Sequence, residues 1–172
     1  MDAAITCCFT GHRPTKLPWG EDETSPLCRR LQFEIAARLQ GIYESGYRHF
    51  ICGMAAGCDL YFAEAVLALR RLRPDLTLEA AVPCLGQEKS WSEPLQRRYR
   101  ELLEQCDSVT VLQPSYTPGC MQRRNRYMVE RSNLLLACFN GSSGGTMSTI
   151  LLARRRGCSV IVIDLEQDPS GK

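Results

Sequence analysis

Three short stretches of the chain carry the residue types with which proteins hold phosphate: Thr10 to Pro14, Gly53 to Asp59 and Asn140 to Ser148. The third is the fullest. A wholly apolar run, Leu134 to Phe139, leads into Asn140, Gly141, Ser142, Ser143, Gly144, Gly145 and Thr146, and a helical pattern with Met147, Ile150 and Leu151 follows at once. A strand feeding a turn of small residues and then a helix brings unpaired backbone N–H groups and the positive end of the helix dipole to one spot. The hydroxyls of Ser142, Ser143 and Thr146 can donate to phosphate oxygens there, and Ser143 is also placed to cap the helix. A purely structural tight turn is the alternative.

In the first stretch Gly11 permits close backbone approach, and Arg13 offers a guanidinium able to grip phosphate through two parallel hydrogen bonds. A solvated loop cation is the competing interpretation. The second stretch has Gly53 and Gly57 four residues apart, before a helix. It lacks both the G-x-G-x-x-G spacing and the Lys-Ser/Thr ending of a P-loop, so neither familiar fingerprint applies. Asp59 can accept from a ribose hydroxyl or cap the helix it enters. A basic segment from Arg123 to Arg131 precedes the Leu134 run, and there Asn125 or Arg126 is placed to meet a ligand. A solvated basic helix face is again the alternative. Trp91 stands in a loop within reach of the same edge, although packing is its commoner use.

These stretches must be positioned by regular elements, and the hydrophobic pattern supplies them. Strands are expected over Ala3–Phe9, Tyr47–Cys52, Leu76–Val82, Ser108–Leu112, Leu134–Phe139 and Val160–Leu165. Between them, apolar residues recur at helical spacing. Ser25-Pro26 opens one helix and Gly46 stops it; Pro74 ends the next, Pro94 opens a third, 122–132 form a fourth, and Gly157 closes the last. Strands alternating with helices predict an α/β, doubly wound and mostly parallel sheet of about six strands, as one domain over 1–172 with a frayed tail at 166–172. In such sheets ligands sit beyond the carboxyl ends of the strands, where strand order reverses. All three glycine-bearing loops fall on that edge.

Composition narrows the class. With 172 residues, 44% apolar and 23% charged, the chain can bury a substantial core, and wholesale disorder is excluded. A net charge of +2 is too small to argue for a dedicated nucleic-acid binder, and leaves only a local basic patch as a route to one. No stretch resembles a leader peptide or approaches the roughly 18 apolar residues of a membrane span. Ten cysteines are present, but no C-x-x-C pair and no metal-ligand spacing with the two histidines. Cys7, Cys52, Cys138 and Cys158 lie in or beside apolar runs, so buried reduced thiols in a cytoplasmic protein are expected, with no metal.

Taken together, Cys8-Phe-Thr-Gly-His-Arg-Pro14, Gly53-Met-Ala-Ala-Gly-Cys-Asp59, Arg124 to Arg131 and Gly141 to Thr146 resemble the YpsA-like family of the SLOG superfamily, which is named for the Smf/DprA proteins and the Lonely Guy enzymes. The resemblance spans nearly the whole chain. It implies a Rossmann-like three-layer fold, a site for nucleotides or nucleotide-derived ligands such as ADP-ribose or NAD, and homo-oligomers. The enzymatic relatives cleave the N-glycosidic bond of a nucleoside monophosphate with a loop Pro-Gly-Gly-x-Gly-Thr-x-x-Glu whose glutamate is catalytic. Matching Gly145-Thr146 to that Gly-Thr puts Thr149 at the glutamate position, and threonine cannot act there as a carboxylate. The leading expectation is therefore a cytosolic binder, a sensor or regulator, with no catalytic residue assigned. The alternatives are a glycosidase or hydrolase using Glu64, Glu88 or Glu130, and a single-stranded DNA binder using Arg123, Arg124, Arg126 and Arg131.

Overall fold

In a computed structural model, which describes residues 5–165, the six apolar runs become six parallel strands. In chain order they are β1 (Thr6–Thr10), β2 (His49–Cys52), β3 (Thr77–Val82), β4 (Ser108–Val111), β5 (Leu134–Phe139) and β6 (Ser159–Asp164). Five helices connect them: α1 (Pro26–Glu44), α2 (Cys58–Leu72), α3 (Glu93–Gln105), α4 (Cys120–Glu130) and α5 (Gly145–Arg155). The order across the sheet is β4-β3-β2-β1-β5-β6, and every neighbouring pair is parallel. Expected strand limits differ by at most three residues, and β5 matches at both ends; Ala3 and Ala4 lie outside the described residues, as does the tail from Glu166.

The pleat sorts the core into two layers. Cys7, Phe9, Leu134 and Leu136 face α1, α2 and α3, whereas Cys8, Leu135 and Ala137 face α4 and α5. Strands buried on both faces explain why β1 and β5 read as unbroken apolar runs. On the first face Phe9 and Phe62 stack with ring centroids 4.4 Å apart, which ties β1 to α2. Trp91 meets Tyr99 of α3 edge-on at 5.3 Å in the same layer, so it is a packing residue. Helices α1 and α3 open on Ser25-Pro26 and Ser92-Glu93-Pro94, yet neither serine makes a side-chain cap bond; the proline, with φ preset, marks the start. Helix α4 begins two residues earlier than expected because Gly119, at φ 88°, turns the chain into it.

All ten cysteines carry free thiols, and burial pushes Cys8 up to about 12. No described helix is long and apolar enough to cross a membrane. Chain direction across the sheet reverses between β1 and β5. Their register, Cys7↔Leu134 through Thr10↔Ala137, leaves β5 two residues longer, so Asn140 ends up level with the loop after β1.

Candidate functional site

The crevice at this reversal is open to solvent and holds a cavity of about 170 Å³. Its lining comes from the loop after β1 (Gly11, His12, Arg13), the following 3-10 turn (Thr15, Lys16), the loop after β2 (Ala55), the start of α2 (Asp59), helix α4 (Met121, Arg124, Asn125) and the start of α5 (Gly145, Thr146). Of the twelve residues proposed from sequence, Gly11, Arg13, Asp59, Asn125, Gly145 and Thr146 line it together.

Gly53 and Gly57 have a different employment. A Cβ on Gly57 would lie 2.7 Å from the His12 carbonyl oxygen, and its φ of 91° strains any other residue. That closeness lets the Cys58 N–H donate to the His12 carbonyl at 3.2 Å, locking the loop after β1 onto α2. A Cβ on Gly53 would collide with the Arg124 guanidinium, whose Nη1 donates to the Gly53 carbonyl at 2.6 Å. Both glycines thus admit protein atoms. Arg126 is exposed on α4 and is absent from the lining, because helical rotation turns it away while Arg124 turns inward.

Ser142, Ser143 and Gly144 form the turn beside the cavity. Ser142 donates to Asn140 Oδ1 through both its N–H (2.9 Å) and its hydroxyl (2.6 Å). Lys16 Nζ donates to the Ser143 carbonyl at 2.7 Å and reaches Ser142 Oγ at 3.5 Å. The N-cap of α5 is Gly144, with no side-chain cap bond, which corrects the expectation for Ser143. The first N–H groups of the helix, at Gly145 and Thr146, have no helical acceptor and stand at the cavity.

His12 joins the two loops. The Asn140 N–H donates to its Nε2 at 3.1 Å, which requires a lone pair there and so fixes a neutral ring protonated on Nδ1. Nδ1 lies 3.4 Å from Thr146 Oγ1. Burial, and then the Lys16 charge, hold the imidazole below its ordinary range, consistent with that neutral form.

The electrostatics are lopsided. Arg13, Lys16 and Arg124 face the cavity with Asp59 as the sole carboxylate of its lining. Asp59 is 5% exposed and accepts the Ala55 N–H at 3.0 Å. Burial raises its carboxyl, opposed by the Arg124 charge and this bond. Arg124, also 5% exposed, is lowered by burial and supported by Asp59, yet a guanidinium stays charged.

Carboxylates considered for catalysis are elsewhere. Glu64 is bound to Arg98 and Glu130 to Arg156, and neither they nor Glu88 lines the cavity. Thr149 is 1% exposed and donates to the Gly145 carbonyl at 2.8 Å, an i to i−4 bond inside α5. Among the described residues no group of three His, Cys, Asp or Glu side chains is arranged to hold a metal.

Sequence reasoning passed over His12, Thr15, Lys16 and Met121 as site residues, and considered Arg124 only for DNA. A signal existed for Arg124: Cys120, Arg124 and Met128 are buried at i, i+4 and i+8 of α4. Extending the core stripe back from Met128 places an arginine in the interior. For Lys16 the signal was weaker, one 3-10 turn beyond Arg13.

A parallel sheet with this strand order, and a small-residue turn opening the helix after β5, define a Rossmann-like protein. The chain belongs to the YspA SLOG family, whose model matches residues 7–156. It is 29% identical to UPF0398 protein BH1768 of Halalkalibacterium halodurans over 69% of this chain and 65% of that one. With a UPF0398 protein of Bacillus pumilus the identity is 28%, over 80% and 74% respectively. The chain therefore spans just under two thirds of the first relative. Among solved structures, DNA processing protein A from Streptococcus pneumoniae matches with a TM-score of 0.58 at 16% identity, over 92% of this chain and 50% of that one. The structural-genomics protein TM1055 matches at 0.55 and 15%, over 93% and 72%. At such identities the likeness is one of fold.

Proposed function

We propose that the protein binds a nucleotide or a nucleotide-derived ligand, of the ADP-ribose or NAD kind, in the crevice beyond β1 and β5, and serves in the cytosol as a sensor or regulator. One observation carries the proposal: three cations and the open amides of α5 converge on a cavity with a single carboxylate in its lining. In this arrangement the Gly145 and Thr146 N–H groups receive a phosphate, with the Lys16 ammonium at the edge of the same turn. Asp59 and the Asn125 amide supply acceptors and donors for a ribose. The loop after β1 and α4 form the two sides between which a base lies.

Binding is favoured over glycosidic cleavage by what surrounds the cavity. Thr149 occupies the position of the enzymes' glutamate and spends its hydroxyl on the helix, while Glu64 and Glu130 are held in ion pairs. The DNA reading has less support, because the basic face is divided: Arg123 bonds Gln113 and Arg131 lies over the Tyr127 ring.

Thermal-shift measurement over a nucleotide panel tests the proposal, with Gly145→Asp as the control. The expected result is stabilisation of the wild-type chain by at least one nucleotide and none of the variant, since a carboxylate at the helix start repels phosphate. No stabilisation by any nucleotide, or equal stabilisation of the variant, would falsify it.

A further inference from the structure

The three cations of the cavity divide between its walls. Lys16 is directed to the turn before α5, where it bonds Ser143 and Ser142. Arg13, three residues earlier, turns instead to α4, with Nη2 3.5 Å from the sulfur of Met121. Arg124 sends its own Nη2 to the same sulfur at 4.0 Å. A thioether is a weak acceptor. Two guanidinium N–H groups therefore converge on an atom that satisfies neither.

Arg124 is otherwise held in place by Nε on Asn125 Oδ1 at 2.7 Å and Nη1 on the Gly53 carbonyl at 2.6 Å. Burying an Nη2 N–H against sulfur costs free energy unless a stronger acceptor arrives. Asp59 supports Arg124 by its charge, but its Oδ2 accepts the Ala55 N–H and no close ion pair joins it to either guanidinium among the described residues. The α4 wall is thus a second anion-seeking point, fixed by different elements from the one at α5.

We infer that the ligand carries two phosphates, one at the start of α5 beside Lys16 and the second on the α4 wall between Arg13 and Arg124. The inference rests on the nucleotide reading and narrows it: the guanidinium pair selects bisphosphorylated nucleotides over monophosphates. The second phosphate has two chemical sources. It is linked through the first, as in ADP or ADP-ribose, or it is carried on the ribose, as in adenosine 3′,5′-bisphosphate. Either presents charged acceptors to both guanidiniums, and such charge-assisted hydrogen bonds are roughly twice as strong as neutral ones.

Calorimetric titration of the full chain with AMP, ADP, ADP-ribose and adenosine 3′,5′-bisphosphate tests this. At least one bisphosphorylated nucleotide binds about tenfold or more tightly than AMP. The form that does so names the source. Arg13→Gln removes that advantage, weakening the bisphosphorylated nucleotide about tenfold more than it weakens AMP. Met121→Glu, which sets a carboxylate between the guanidiniums, removes it too and raises the melting temperature of the unliganded protein. Arg124 itself is a poor probe, since its loss also frees the Gly53 carbonyl. Equal affinity for AMP and the others overturns the inference while leaving nucleotide binding intact. So does an Arg13→Gln variant that weakens AMP as much as the others, because one shared phosphate then meets every cation, and so does an advantage that survives Met121→Glu. If no nucleotide binds, AMP included, both readings fall.

Discussion

The loops after β2 and β5 look alike as sequence and differ in what comes near them. Gly53-Met-Ala-Ala-Gly57 and Gly141-Ser-Ser-Gly-Gly145 both set small residues between an apolar strand and a helix. In the first, the close approach is already taken by protein: the His12 carbonyl lies against Gly57 and the Arg124 guanidinium against Gly53. In the second, a Cβ on Gly141 or Gly145 would meet nothing within 4 Å, and one on Gly144 would meet only the flexible end of Lys16, at 2.5 Å. Glycine reports that something must come close to the backbone. Whether that something is the protein or a ligand depends on neighbours brought from far along the chain.

The widest separation between the loops is expected from alanine. Gly57→Ala forces a side chain into φ 91° and against the His12 carbonyl, so it should destabilise by about 2–5 kcal/mol. Gly145→Ala lies in open space at the start of α5 and should change stability by no more than about 0.5 kcal/mol. Its added methyl stands beside the free amides, however, so nucleotide binding should weaken. Urea unfolding of the two variants makes the comparison directly. If they lose equal stability, the α5 turn is as structural as the α2 turn and loses its claim to a ligand.

The fold was legible because period and punctuation agreed. The Leu134–Phe139 strand was located to the residue, since six consecutive apolar residues between Asn133 and Asn140 admit few other interpretations. The loops of the site were legible for the same reason, being strand ends on one edge of a parallel sheet. What could not be seen was assignment within them. Arg124 and Arg126 are equivalent as letters two positions apart, and only the rotation of α4 relative to Met128 decides which is interior. His12 was hidden because its partner, the Asn140 N–H, is 128 residues distant. The capping position falls on Gly144, and Lys16, from another loop, holds the Ser143 carbonyl.

His12 offers a gentler way to probe the junction of the first loop with the third. Its folded-state pKa is lowered, so below the ordinary value of about 6.5 the unfolded chain takes up a proton that the folded chain resists. Unfolding then releases fewer protons than it binds, and linkage makes stability fall as pH drops below that value, levelling once the folded ring also protonates. Protonated Nε2 would confront the Asn140 N–H donor-to-donor. Denaturation midpoints between pH 7.5 and roughly 5 should show this slope, and His12→Gln should flatten it. A wild-type slope unchanged by the substitution assigns the effect to other groups.

The smallest stability effect belongs to Lys16, and it separates a latch from a ligand group. Its ammonium is exposed and holds the neutral Ser143 carbonyl at 2.7 Å. Such a bond competes with water and carries the entropy cost of ordering a long side chain, so Lys16→Ala should change stability by less than about 0.5 kcal/mol. The same substitution removes one of three cations from a cavity with one carboxylate, and nucleotide affinity should fall much further than stability does. Melting temperature and titration on one preparation decide the matter. A large loss of stability with unchanged affinity makes Lys16 a brace for the α5 turn, and the turn then resembles its counterpart at α2, closed by the protein itself.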